Sequence, residues 1–159
     1  MARLQSIPGV GRRTAEVILA EVGTDLSRFP TASHLASWAG LCPGQNESAG
    51  KRRSGRTRKG SPALREALTE AARAAARTRG CYLAAQYRRI AARRGANRAA
   101  VAVAHTILVI AYHLLTNGGA YADLGANYYD ERDKAVTVKR AVARIRRLGY
   151  EVTVTPTAA

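Results

Sequence analysis

Ser48 and Ser54 stand in a glycine-containing stretch, residues 42–61, together with Lys51, Arg52, Arg53, Arg56, Arg58 and Lys59. No Asp or Glu lies between Glu47 and Glu66, so nothing within the stretch neutralises those cations. A loop carrying them cannot pack inward, because an unpaired buried charge costs several kcal/mol. Held at the surface, it offers phosphate-binding cations next to hydroxyl groups. Such a loop can grip a phosphate, or one of its serines can also attack it. Attack on a phosphodiester needs cations on the non-bridging oxygens and a route for the serine proton. The stretch supplies the first need, and no group for the second stands out. Either serine also suits a plain turn.

Other chemistries find less support. A metal-dependent nuclease gathers carboxylates around divalent cations, whereas the 11 acids here are scattered along the chain. No metal site and no cofactor are therefore expected in this chain. Cys42 and Cys81 match no metal spacing and read as buried or idle thiols of a reducing compartment. His105 and His113 lie in an apolar run without ligand companions and read as histidines of a core or its edge. No serine occupies a strand–elbow–helix pattern.

With 159 residues, 47% of them hydrophobic, the chain can bury the core of one domain. Lys and Arg number 26 against 11 acids, a net charge of +15. A compact domain so charged repels itself until a polyanion relieves it, and nucleic acid is the usual one. No signal peptide is expected before the first patterned element. The most apolar run, residues 99–115, is short of the ~20 residues that cross a bilayer. The expectation is a cytoplasmic, nucleoid-associated protein with no membrane partner.

A mainly α fold follows, as a single domain over 1–159. Ile7-Pro8-Gly9-Val10-Gly11, followed by Arg12 and Arg13, reads as a helix-hairpin-helix element over about 4–22. Its glycines would bring backbone close to a partner, and its second helix would turn N–H groups toward an anion. Gly9, Val10, Gly11, Arg12 and Arg13 are then DNA or RNA contacts, although an ordinary glycine turn between helices has the same signature. Leu26, Phe29, Leu35 and Trp38 should pack inside, and Thr31 or Ser33 should cap a short helix ended by Gly40. After the basic Gly-rich serine loop, 42–61, Ser61-Pro62 starts a helix with Leu64, Leu68, Ala71 and Ala75 as its apolar stripe. Gly80 should break or bend the helix, Gly95 should end the one after it, Asn97 should cap the next, and an apolar helix to Thr116 completes a core over 62–117. Between Ala71 and Ala122 there is no acid, so Arg88, Arg89, Arg93 and Arg94 lack carboxylates nearby in sequence. Asp130 is expected to cap a basic helix over 130–148, and residues 151–155 to form a short strand.

The run Ala36-Ser37-Trp38-Ala39-Gly40-Leu41-Cys42-Pro43, then Asn46-Glu47-Ser48-Ala49-Gly50-Lys51, Gly60 and Leu64-Arg65, resembles one family. It is the C-terminal domain of the bacterial insertion-sequence transposases of the IS110, IS116 and IS902 group. The likeness covers roughly residues 4–129. It implies RNA-guided DNA transposition and recombination by a mobile element, in a homo-oligomer whose active sites are composite. In that family an acidic, RuvC-like N-terminal domain binds Mg²⁺, and a C-terminal serine becomes joined to DNA. The resemblance points to Ser48 as that nucleophile, with Ser54 as second choice. Lys51, Arg52, Arg53, Arg56, Arg58 and Lys59 would hold DNA or RNA phosphates. Because the sequence opens almost at the hairpin, a truncated product is expected. Its Mg²⁺-binding half would come from another polypeptide, such as a full-length transposase, or not at all. A non-catalytic DNA- or RNA-binding fragment is the alternative.

Overall fold

The structure, a computed structural model, describes residues 1–44, 46–54 and 57–156, with only the backbone described at 46–48 and 52–54. It is mainly α, as the patterning requires. The described residues divide into two compact units, 1–126 and 127–159, of which the last three residues are not described.

The first unit holds six helices among its described residues. Helix α1 (Ala2–Gln5) leads through a glycine turn to α2 (Arg12–Val22), whose Ala15, Ile18 and Val22 are buried. Helix α3 (Ala32–Trp38) starts at Thr31, whose hydroxyl accepts from the His34 N–H at 3.4 Å. Helix α4 (Pro62–Arg77) starts at Ser61, whose Oγ accepts from the Leu64 N–H at 3.2 Å. Leu64, Leu68, Ala71 and Ala75 are all buried, as the stripe demands, and Ala72 joins them. Helix α5 (Tyr82–Arg94) is capped by Cys81, whose buried Sγ accepts from the Ala84 N–H at 3.4 Å. That thiol is buried, one of the two states expected of it, and it also caps a helix.

Helix α6 (Ala96–Asn117) runs through the centre, packing against α1, α3, α4 and α5. At 22 residues it outlasts the apolar run and is long and apolar enough to cross a membrane by length and composition. Its inner residues nonetheless belong to the core, Val103, Ile107 and Leu108 among them, and Tyr112 donates its hydroxyl to the Phe29 carbonyl at 2.9 Å. The helix starts directly after Gly95, so Asn97 lies inside its first turn and does not cap it. Trp38 also departs from expectation. It is 42% exposed, with the Arg28 guanidinium 5.4 Å from its ring and 4.7 Å from the Phe29 ring. Arg28 in turn donates to the Glu21 and Val22 carbonyls at the end of α2.

In the second unit, the basic helix expected over 130–148 is two helices, α7 (Tyr128–Arg132) and α8 (Lys134–Arg147), and Asp130 lies inside α7 rather than capping it. Asp133 separates them at φ −109°, ψ 30°, with its carboxylate 3.2 Å from the Arg132 guanidinium. Residues 151–156 form no strand. No second strand among the described residues pairs with them, and an unpaired strand leaves its ladder groups unsatisfied.

Candidate nucleic-acid interface

The cationic stretch folds as a hairpin rather than an irregular loop. Strand β1 (Asn46–Ser48) pairs antiparallel with β2 (Lys51–Ser54), with Ser48 opposite Lys51, Glu47 opposite Arg52 and Asn46 opposite Ser54. The turn between them is Ala49-Gly50, with φ of 51° and 73°. Positive φ at both central residues is what a two-residue I′ turn needs, since its twist matches that of the strands. Ala49 takes this conformation without the freedom of glycine, at a cost of roughly 1 kcal/mol.

The register separates the two candidate serines. Ser48 borders the turn beside Lys51, whereas Ser54 lies at the open end, about 7 Å further along the ladder. The side chains of Ser48, Ser54, Arg52 and Arg53 lie outside the described residues, as does the whole of Arg56. Lys51, Arg58 and Lys59 are exposed.

The base of the hairpin is clamped by backbone contacts. Helix α3 ends in a Schellman motif: the Leu41 N–H donates to the Ala36 carbonyl at 3.1 Å, and the Gly40 N–H to the Ser37 carbonyl at 3.1 Å. Gly40 has φ 69°, and Leu41, just beyond it, is buried. Pro43 bridges Thr57, and the Arg65 guanidinium of α4 donates to the Thr57 hydroxyl at 2.8 Å. A Cβ on Gly60 would lie 2.2 Å from the Ala39 carbonyl oxygen, and one on Gly40 would lie 2.7 Å from the Arg58 carbonyl oxygen. Glycine at 40 and at 60 lets residues 58–60 lie so close to the end of α3. Beside the clamp, Ser37, Cys42, Pro43 and Arg58 line a cavity of about 230 Å³. Sequence reasoning gave no role to Ser37 here, and nothing in its spacing marks it.

The glycine turn at 7–11 behaves differently. Gly9 has φ 85°, and a Cβ on it would lie 2.2 Å from the Ala71 carbonyl oxygen and 2.6 Å from the Ala75 nitrogen. Its close approach is thus to α4 of the same chain. Val10 is buried, and its N–H donates to the Ile7 carbonyl at 3.0 Å. Gly11, Arg12 and Arg13 face solvent, and no side chain caps the start of α2. Arg12 meets Glu16 at 2.8 Å, an exposed pair that holds its guanidinium pKa above the ordinary value, mainly through that hydrogen bond. Pairs of this kind are weak and can be exchanged for a phosphate.

Among the described residues no three His, Cys, Asp or Glu gather as metal ligands. The Mg²⁺ implied by the resemblance thus finds no donor set among them. His105 lies half-buried on α6, where burial depresses its pKa and favours the neutral ring.

Residues 1–88 match the family described as Transposase IS116/IS110/IS902. The chain is 37% identical over 127 residues to the transposase for insertion sequence element IS1111A of Coxiella burnetii, an alignment covering 75% of the chain and 34% of that protein. It is 65% identical over 40 residues to an insertion element IS110 protein of 43.6 kDa from Streptomyces coelicolor, covering 25% of the chain and 10% of the relative. It is 47% identical over 45 residues to a pilin gene-inverting protein of Moraxella bovis, covering 28% and 14% respectively. The chain spans about a third of the length of the first of these relatives.

Proposed function

The chain belongs to the transposase IS116/IS110/IS902 family, and from that premise we propose that it is a DNA-engaging part of a transposase, its basic hairpin built to receive a phosphodiester. The observation that carries this reading is the clamped hairpin, which holds a serine opposite a lysine at the tip of a cationic turn. In the reaction, Ser48 Oγ attacks phosphorus and forms a P–O bond to the protein. The bond to one sugar oxygen breaks, that oxygen takes up a proton, and the serine proton passes to solvent. Lys51, Arg52, Arg53, Arg56, Arg58 and Lys59 hold the non-bridging oxygens and neighbouring phosphates, so charge developing at phosphorus meets fixed cations. Gly11, Arg12 and Arg13 extend the contact from the helix-hairpin-helix turn, with Gly9 and Val10 shaping it from within. A metal-binding domain, a structured guide RNA and further copies of the protein complete the machine, in the cytoplasm.

A covalent-adduct assay tests the assignment, using nicked DNA and a full-length relative whose own serine has been replaced. The wild-type chain and Ser54→Ala should form the adduct, and Ser48→Ala should not. An adduct lost only in Ser54→Ala would move the nucleophile to Ser54. A second reading, nucleic-acid binding without chemistry, is favoured by the scatter of the carboxylates. It stands if the wild-type chain binds DNA yet never forms an adduct.

A further inference from the structure

We propose that the open cleft between the start of α2 and the C-terminal half of α4 is a second grip for nucleic-acid phosphates, with Arg73 and Arg77 as its cationic wall and Glu70 as a built-in brake. The inference rests on the reading that this chain binds nucleic acid, and it adds a contact the hairpin does not provide.

The cleft, of about 500 Å³, is lined by Gly11 and Thr14 on one side and by Glu70, Arg73 and Arg77 on the other. Arg73 and Arg77 are one helical turn apart, both exposed, and neither forms an ion pair with any described carboxylate. The cleft cannot close further, because Gly9 already presses on the α4 backbone at Ala71 and Ala75. Its width is therefore fixed by backbone rather than by movable side chains.

Helix α4 ties this cleft to the hairpin. Arg65, Thr69, Arg73 and Arg77 recur every four residues, which places them along one ridge of the helix. Arg65 is bonded to Thr57 at the hairpin base. With a rise of 1.5 Å per residue, Arg77 lies about 18 Å from Arg65 along the axis. That distance equals roughly five base-pair steps of duplex DNA at 3.4 Å each. One ligand can thus reach both places, and a polyanion is the ligand that two unpaired arginines at this spacing select. Glu70 opposes it: its carboxylate shares the cleft and repels a phosphate, so it limits how tightly the cleft holds.

Binding to a 20-base-pair duplex, followed across a salt series, tests this. Arg73→Gln/Arg77→Gln should weaken binding about tenfold near 0.1 M salt and reduce the slope of log K against log salt by about 2, one per lost phosphate contact. Glu70→Gln should tighten binding two- to threefold. All three positions are exposed, and unchanged melting curves would confirm intact folds. Lys51→Gln/Arg58→Gln reports the hairpin in parallel. If the arginine and Glu70 variants bind like wild type while the hairpin variant weakens, the cleft proposal falls and the hairpin reading stands. If only the cleft variants change affinity, the hairpin reading falls instead. Absence of salt-dependent binding by the wild-type chain sinks both.

Discussion

The two glycine-marked turns of this chain look alike as sequence and do opposite work. At 7–11 the glycine is pressed into the protein: an added methyl on Gly9 would meet α4 backbone at 2.2 Å. At 49–50 the glycine stands clear, and an added methyl on Gly50 would meet nothing within 4 Å. The first turn needs glycine for space and for φ, the second for φ alone. A turn that serves packing holds the fold together, whereas one that serves only direction leaves its neighbours free to meet a ligand.

Substitution at Gly9 should give the largest effect. Gly9→Ala forces a methyl against backbone that cannot yield and demands a left-handed alanine as well. A loss of about 3 kcal/mol is expected, lowering Tm by roughly 10 °C in a thermal melt. A melt within two degrees of wild type would break the comparison. Gly60→Ala probes the foot of the hairpin, where the obstruction is again 2.2 Å, here to the Ala39 carbonyl oxygen. It should cost about 2–3 kcal/mol and also weaken DNA binding, because the clamp that aims the hairpin opens. Gly50→Ala should cost only about 1 kcal/mol, the strain of a second left-handed alanine beside Ala49. Its melt should stay near wild type while its DNA affinity falls a few-fold, as the tip twists away from its ligand.

The difference between the turns also shows what could be read in advance. Helix starts were legible wherever a hydroxyl precedes the pattern, as at Thr31 and Ser61, since the cap bond spans only three residues. The stripe of α4 and the stop at Gly95 were legible for the same local reason, whereas α4 already ends at Arg77, with Thr78 rather than Gly80 as its cap. What escaped depends on partners far away in sequence. Trp38 stays half outside, under Arg28, which is tied to the end of α2. Gly9 turns inward because α4, some sixty residues later, comes to meet it. The cationic stretch announced its charge but not its register, which is set by the two-residue Ala49-Gly50 turn and shifted by a bulge between Asn46 and Glu47. The break at Asp133 escaped for a nearer reason. Its carboxylate pairs with Arg132 and makes no capping bond to α8.

The smallest expected effect separates the packed unit from the hairpin by pH. Burial holds the His105 pKa below the ordinary 6.5, so the folded state keeps this ring neutral where the unfolded chain would bind a proton. Its contribution to stability is therefore fully present above pH 6.5 and drains away as pH falls from there toward the folded-state value. The 42–61 stretch contains no histidine, so its grip on phosphates should not follow this change. Between pH 7.5 and 5.5 the wild-type Tm should drop by a degree or two more than that of His105→Gln, roughly. DNA affinity over the same interval should remain level in both. If His105→Gln loses stability on acidification as steeply as wild type, the ring is not the titrating group. If affinity falls in step with Tm, the hairpin is coupled to the core after all, and the division between a turn for packing and a turn for ligand would have to be redrawn.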